Sequence, residues 1–562
     1  MSSDRLAAKK SQHARIIKKV NQTQLGKFDY VIVGAGSAGC VLANRLSANP
    51  SVRVCLLEAG GKDTHPWIHI PVGYFFNFDH PRADWRYRTE PEPGLNGRVL
   101  KYPRGRVLGG TSSINGMVYI RGHALDYDGW RQLGNVGWSW SDVLPYFKRS
   151  ENQVRGPSDT HGAEGELSVD DLRASWEILE TFRKAAIQSG IPPTDDFNSG
   201  ESEGVGYFQV TQKNGRRMSA SRAFLKPAAE RPNLTILTGC LVQRVRFAQK
   251  RAVGVEFLQN GIPTFVAAEN EVILSAGAVG SPQILQLSGI GAPALLQSHG
   301  IEVTHASPRV GEGLQDHPAV RMMFKVKNTR TLNDQLSSWT SKAAMLLEYA
   351  VRRTGPLTIP PALVNAFVKS DPSRAAPDLQ YVVYPLTYDT VGEPAHKFSA
   401  FTGSICLVRP ESRGSIRITS PDPAKAPEIR LNFLTNATDV QAAIAGIRGM
   451  RRVCAAEAFK PFEVEEFRPG PELTSDEQIA AAAKDITATI FHPTSTCGMG
   501  PEDAAVVDDR LRVRGVDRLR VVDASVMPMI ISGNTNATTI MIAEKASDMI
   551  REDSRPSVAA SA

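Results

Sequence analysis

FDYVIVGAGSAGCVLANRLSANPSVRVCLLEAGG, residues 28–61, reads as a complete βαβ unit. Tyr30 to Val33 is a short apolar run with β-branched residues, as expected of a strand buried on both faces. Gly34, Gly36 and Gly39 follow as G-x-G-x-x-G. Ala38, Val41, Leu42 and Leu46 then recur at helical spacing, and Asn49-Pro50 closes the helix. Val52 to Leu57 reads as a second buried strand ending in Glu58, 19 residues beyond Gly39. Gly34 serves the tight turn, Gly36 removes a Cβ where a pyrophosphate must approach, and Gly39 lets helix and strand pack closely. The helix start, at Ser37 and Ala38, offers unpaired N–H groups to phosphates, and Glu58 can accept from ribose hydroxyls. A lone glycine motif is weak evidence; set between two strands with the acid in register, it predicts a dinucleotide site.

Composition sets the outer bounds. The chain has 562 residues, 42% hydrophobic and 22% charged, enough for two to four domain-sized units. No run of 18 apolar residues occurs, which excludes an apolar membrane-spanning helix. The formal charge is +7, but residues 1–27 hold seven basic side chains against Asp4, leaving +1 for residues 28–562. A nearly neutral body argues against a nucleic-acid groove. Residues 1–27 lack a secretory apolar region and are expected to be a solvated, disordered extension. Their basic character also permits weak association with an anionic membrane surface. Cysteines 40, 55, 240, 406, 454 and 497 show no C-x-x-C pair, so reduced thiols, a cytoplasmic setting and no metal site are expected.

Five further segments decide which dinucleotide. They are PRGRVLGGTSSINGMV (103–118), GAVGSPQILQLSGIG (277–291), HPTSTCGMG (492–500), LRVVDASVMP (519–528) and GNTNATTIMIAEKASDMI (533–550). With these the chain resembles the glucose–methanol–choline (GMC) oxidoreductases from about Phe28 to Ile550, most nearly their bacterial alcohol dehydrogenase and choline dehydrogenase-like branch. The resemblance implies FAD, a two-domain fold and oxidation of a primary alcohol. It implies cofactor contacts at Ala59, Trp85, Arg106, Gly109, Asn115, Gly116, Met117, Val118, Val242, Ala276, Gly277, Asp523, Ala524 and Asn536. Some members attach FAD through a histidine just before the equivalent of Asn115; here that residue is Ile114, so FAD is expected to be non-covalent.

Oxidising an alcohol requires a base for the hydroxyl proton, and imidazole titrates in the working range. His492 aligns with the family's base, and Asn534 with its second catalytic position. Asn534 also stands where a helix N-cap is favoured. The resemblance implies proton abstraction by His492, a substrate oxygen positioned by Asn534, and hydride transfer to flavin N5. Asp316-His317-Pro318 is read as structural, and the aromatic stretch Trp130, Trp138, Trp140, Tyr146 and Phe147 as helix packing. Two departures stand near the chemistry, Ser495 for a usual glycine and Thr538 for a usual proline. Where relatives often carry a glutamate after Gly-Pro-Leu (355–357), no acid appears, and Leu363 is assigned to that place. A quaternary ammonium lacks compensation there, so an apolar aliphatic or aromatic alcohol is favoured over choline.

The expected fold class is α/β (α+β overall): a Rossmann-like FAD-binding domain with a substrate-binding domain built on an antiparallel sheet. The first is assigned to 28–170, 205–320 and 485–552, the second to 171–204 and 321–484, and 553–562 to a tail. Leu379–Tyr384, Ser404–Arg409 and Ser415–Ile418 are expected strands of the second domain. The electron acceptor is expected to be oxygen or a quinone. The alternatives are a same-fold flavoprotein with other chemistry, such as a light-driven fatty-acid decarboxylase, a choline dehydrogenase, or a binding protein acting through its basic tail.

Overall fold

The computed structural model describes residues 22–390, 393–501 and 505–554. Strand Thr23–Val33 is central to the first sheet, parallel to Val54–Glu58 on one side and to Ile262–Leu274 on the other. Leu234–Thr238 extends the sheet beyond Val54–Glu58, also in parallel. Ile262–Leu274 is 13 residues long and divides its far edge. Its first half pairs antiparallel with Arg251–Gln259, which pairs with Cys240–Ala248; its last residues pair parallel with Leu519–Val521. The parallel strands therefore end together at Gly34, Glu58, Ser275 and Asp523, the edge where open α/β sheets bind ligands. Val54–Glu58 and Tyr30–Val33 are wholly buried, as their unbroken apolar runs predict. Helices Ser37–Leu46 and Thr535–Asp553 pack on each other beside this sheet.

The second sheet is antiparallel, ordered Glu465–Arg468, Pro318–Lys325, Ala400–Leu407, Leu379–Tyr384, Val364–Val368, Gly204–Tyr207, with Thr487–Thr489 also on Pro318–Lys325. One face, including Met322, Ile405 and Tyr381, packs against helix Ala437–Cys454. The other face looks toward the edge of the first sheet.

Several expectations need correction. The first strand begins at Thr23, and its register, Thr23 opposite Thr264 and Lys27 opposite Ala267, shows that residues 23–27 belong to the fold; residues 1–21 lie outside the described residues. Gly204–Tyr207, Pro318–Lys325 and Thr487–Thr489 were allotted wholly or in part to the dinucleotide domain but hydrogen-bond into the antiparallel sheet. Leu379–Tyr384 forms as expected, and Ala400–Leu407 covers most of the second run. Gly414–Arg417 instead joins a separate three-stranded sheet with Glu312–Leu314 and Glu428–Arg430. Register pairing between distant segments is a tertiary choice that local alternation does not encode.

Candidate active site

A cavity of about 400 Å³ runs from the glycine loop to the inner face of the antiparallel sheet. At one end Gly34 takes φ +99°, and a Cβ there would come 2.5 Å from the Ser275 carbonyl. Gly36, Ser37 and Ala38 line the cavity at the start of helix Ser37–Leu46, whose N-terminus has no side-chain cap. Gly39 does not line it: a Cβ there would strike the Gly34 carbonyl oxygen, so this glycine permits helix–strand contact. Glu58 and Ala59 line the next part. Glu58 is 5% exposed and accepts from Ala35 N at 2.9 Å and Gly60 N at 2.8 Å. Burial pushes its carboxyl up to about 7, against the pull of those two N–H groups and Arg106.

Trp85, Asn115, Gly116, Met117, Val118, Val242, Ala276, Gly277, Asp523, Ala524, Asn534 and Asn536 also line the cavity. Arg106 and Gly109, both assigned to the cofactor, do not. Arg106 lies 4.7 Å from the Trp85 ring centroid and supports that ring. Gly109 (φ +88°) donates to Ala35 O at 2.7 Å, resting its loop on the glycine loop. Asp523 accepts from Gly277 N at 2.9 Å, Ser281 Oγ at 2.5 Å and Ser525 N at 2.9 Å. Asn536 accepts from Ser37 Oγ at 2.7 Å, tying the two helix starts together.

The chemical end centres on His492. Its Nε2 lies 3.1 Å from Asn534 Nδ2, and its Nδ1 lies 3.0 Å from His317 Nδ1. Asn534 occupies the N-cap of helix Thr535–Asp553, yet its side chain makes no capping bond and turns to the imidazole. Asp316 fixes the backbone: Oδ1 accepts from His492 N and His317 N, and Oδ2 from Tyr102 and Thr489 hydroxyls, each at 2.7 Å. Phe491 holds φ +68° just before His492, a left-handed conformation a bulky residue rarely adopts, and Arg104 Nη2 donates to its carbonyl at 2.6 Å. Ser495 takes φ +74°, the conformation that favours glycine at this place. Burial, then His317 and Arg104, hold the His492 imidazole well below its ordinary range. Burial takes His317 down to about 3. Both rings are therefore neutral at pH 7.

A family model described as GMC oxidoreductase matches residues 28–319, and its C-terminal counterpart matches residues 410–543. The chain belongs to the GMC oxidoreductase family. It is 44% identical over 526 residues to an alcohol dehydrogenase [acceptor] of Pseudomonas putida, covering 93% of this chain and 95% of that one. It is 41% identical over 528 residues to an oxygen-dependent choline dehydrogenase of Photobacterium profundum, covering 93% of each. Among solved structures, an FAD-dependent oxidoreductase from Chaetomium thermophilum superposes with a TM-score of 0.86 at 28% identity, over 94% of this chain and 99% of that one. This GMC oxidoreductase is thus an enzyme acting on alcohols, of a family that binds FAD.

The residues present fit that cofactor. Two helix N-termini without side-chain caps face one cavity, the glycines leave room for close approach, and Glu58 keeps free lone pairs in a buried setting. Ser275 Oγ is buried there without a partner.

Sequence reasoning missed three contributors. His317 and Asp316, read as structural, touch His492 itself. Arg217, 1% exposed, donates from Nη1 to Asn115 Oδ1 at 2.8 Å, and no local motif marks it. Leu363 is fully buried in the sheet core and away from the cavity, whose wall carries Pro361 and Ala362 instead. Trp130, Trp140 and Phe147 pack around Tyr127, and Trp138 packs on Trp130, as read. Cys406 lines the cavity, but burial pushes its thiol up to about 12, and buried Cys497 is raised further.

Proposed function

We propose that this enzyme oxidises a primary alcohol, aliphatic or aromatic, to the aldehyde, with FAD held non-covalently. The His492–Asn534 pair at 3.1 Å carries the reading. A hydroxyl set against both can donate to His492 Nε2 and accept from Asn534 Nδ2, which holds the oxygen while the proton leaves. FAD, when bound, supplies the hydride acceptor. The glycine loop, Glu58, the Asn115–Val118 segment and the start of helix Thr535–Asp553 would hold it.

His317 prepares the base. Asn534 Nδ2 can only donate, so His492 Nε2 accepts from it, the His492 proton lies on Nδ1, and His317 is the group that faces this proton. Its Nδ1 then accepts from His492 Nδ1–H, leaving His492 Nε2 bare and able to take a proton. The imidazolium formed during turnover keeps the same acceptor at Nδ1. Ile114, 1% exposed in the cavity wall, has no nucleophile and supports dissociable FAD. Choline is disfavoured because, among the described residues, the acids in the wall are Glu58 and Asp523, at the strand ends, while Arg321 places a cation on the substrate side.

Anaerobic mixing in the dark with a panel of primary alcohols tests the proposal. Flavin absorbance should bleach with at least one alcohol, and His492→Ala should slow bleaching by about 100-fold or more with FAD retained. Bleaching by none of the panel, or an unchanged rate in His492→Ala, overturns it. Bleaching only under illumination with fatty acids would support the decarboxylase alternative. Reoxidation by oxygen and by a quinone identifies the acceptor.

A further inference from the structure

The strand that starts just after His317 carries a cation with no carboxylate partner among the described residues. His317 immediately precedes Pro318–Lys325, on which Ala319 and Arg321 face the cavity. Four residues of extended chain put the Arg321 backbone roughly 13 Å beyond His317. The neighbouring strands repeat this alternation. Ala319 opposes Cys406, and Cys406 opposes Gln380; Arg321 opposes Ser404, and Ser404 opposes Val382. All six line the same cavity.

Arg321 donates from Nη1 to the Asp389 carbonyl at 3.2 Å and from Nη2 to the Tyr388 carbonyl at 3.1 Å. Its Cζ lies 4.6 Å from the Tyr388 ring centroid. Its Nε is buried with no acceptor. No carboxylate pairs with this guanidinium among the described residues, and the Asp389 carboxylate is engaged by Arg468 at 2.8 Å and His396 at 3.4 Å. Gln380, 1% exposed, has its Nε2 buried without an acceptor. Between these donors and His492 the wall is apolar and aromatic: Phe78 stands edge-on to Phe491, and Phe75 edge-on to Tyr388.

Buried donors are normally satisfied, and a half-buried cation held only by neutral acceptors attracts an anion. One carboxylate placed between Arg321 and Gln380 satisfies both donors and the charge. We propose that Arg321 and Gln380 form a subsite for the end of the substrate remote from the reacting hydroxyl, and that this end is a carboxylate. The substrate class is then a hydroxy-carboxylate with an apolar spacer lying along the sheet face. The carboxylate is bound and does not react. The inference rests on the alcohol-oxidation reading and names the substrate class for it.

The test compares unbranched ω-hydroxy-carboxylates of increasing length with their methyl esters and with 1-alkanols, using the FAD-loaded enzyme. At the best length the carboxylate should exceed its ester in kcat/KM by about 10- to 100-fold, as expected of a charge-assisted contact replacing a neutral one. In Arg321→Leu that ratio should collapse to within about threefold, and Arg321→Lys should recover part of it. Unsubstituted alkanoates of matched length, which cannot be oxidised, should perturb the flavin spectrum of the parent enzyme and not of Arg321→Leu. Equal or better turnover of esters, or alkanoate binding unchanged in Arg321→Leu, overturns the subsite. Should no alcohol reduce the flavin, the catalytic reading fails, while alkanoate binding still decides the subsite without turnover.

Discussion

Replacing His317 by leucine removes the acceptor for His492 Nδ1 without touching substrate or cofactor. The two Nδ1 atoms are 3.0 Å apart, His317 is fully buried and His492 is 9% exposed, so no bulk water replaces the lost partner. If His492 keeps its proton on Nδ1, that N–H is left unsatisfied, at about 1–3 kcal/mol. If the proton moves to Nε2 to escape this, the lone pair that accepts the alcohol proton is gone. Either way the reactive tautomer is disfavoured by that amount, a slowing of about 5- to 150-fold. Asparagine places its Oδ1 near the position of the histidine Nδ1, so His317→Asn should stay within about threefold of the parent rate, the loss of a hydrogen bond of unequal geometry being under 1 kcal/mol. The assay is anaerobic stopped-flow reduction of the flavin at pH 7.5, with FAD content checked from absorbance and folding from the melting curve. A His317→Leu enzyme that is folded, FAD-loaded and as fast as the parent would refute the tautomer argument. So would a His317→Asn enzyme as slow as His317→Leu.

The remaining predictions concern pH and packing. Because burial holds His492 well below its ordinary range, flavin reduction should show no loss as pH falls through 6.5 and should decline only at a lower pH, where Nε2 becomes protonated; a limb centred near 6.5 would contradict this. The His317 pair also predicts an acid-linked loss of stability. A histidine that titrates near 6.5 unfolded but about 3 folded binds more protons when unfolded, so its stabilisation is complete above 6.5 and falls as pH drops toward 3. Between pH 6.5 and 5 the parent should lose about 1.6 kcal/mol relative to His317→Asn, measured by denaturant unfolding at each pH; parallel losses in the two proteins would show that this ring does not contribute. Gly39→Ala should lose FAD and unfold earlier, by roughly 2 kcal/mol or more, because the added methyl meets the Gly34 carbonyl oxygen across the helix–strand contact; unaltered FAD content and melting temperature would exclude that account.

Much of the dinucleotide end was legible because its determinants are local. A tight turn, a glycine where a helix meets a strand, and an acid at the next strand end all fall within residues 30–58, and steric rules tie each to its place. His492 and Asn534 were legible for another reason, as members of segments resembling a family. The strand Leu379–Tyr384 was readable from its β-branched, apolar run. What the sequence could not express is adjacency across long separations. Asp316 and His317 look like an ordinary strand entry until folding brings them 176 and 175 residues along the chain to His492. Arg106 and Trp85 share a motif neighbourhood with the cofactor loop, yet only tertiary packing puts the ring on the cavity and the guanidinium behind it. Leu363 is reached by counting from a motif, but it lies just ahead of strand Val364–Val368, and the folded chain turns it into the core and leaves Pro361 and Ala362 on the cavity wall. Arg321 and Gln380 become one site only because three strands adopt a particular register. Short-range sterics and a contiguous motif suffice to specify the dinucleotide fold and to single out His492 as the candidate base. The partner of His492 Nδ1 and the polarity of the cavity wall are not legible in this way, because each depends on groups that meet only across the closed fold.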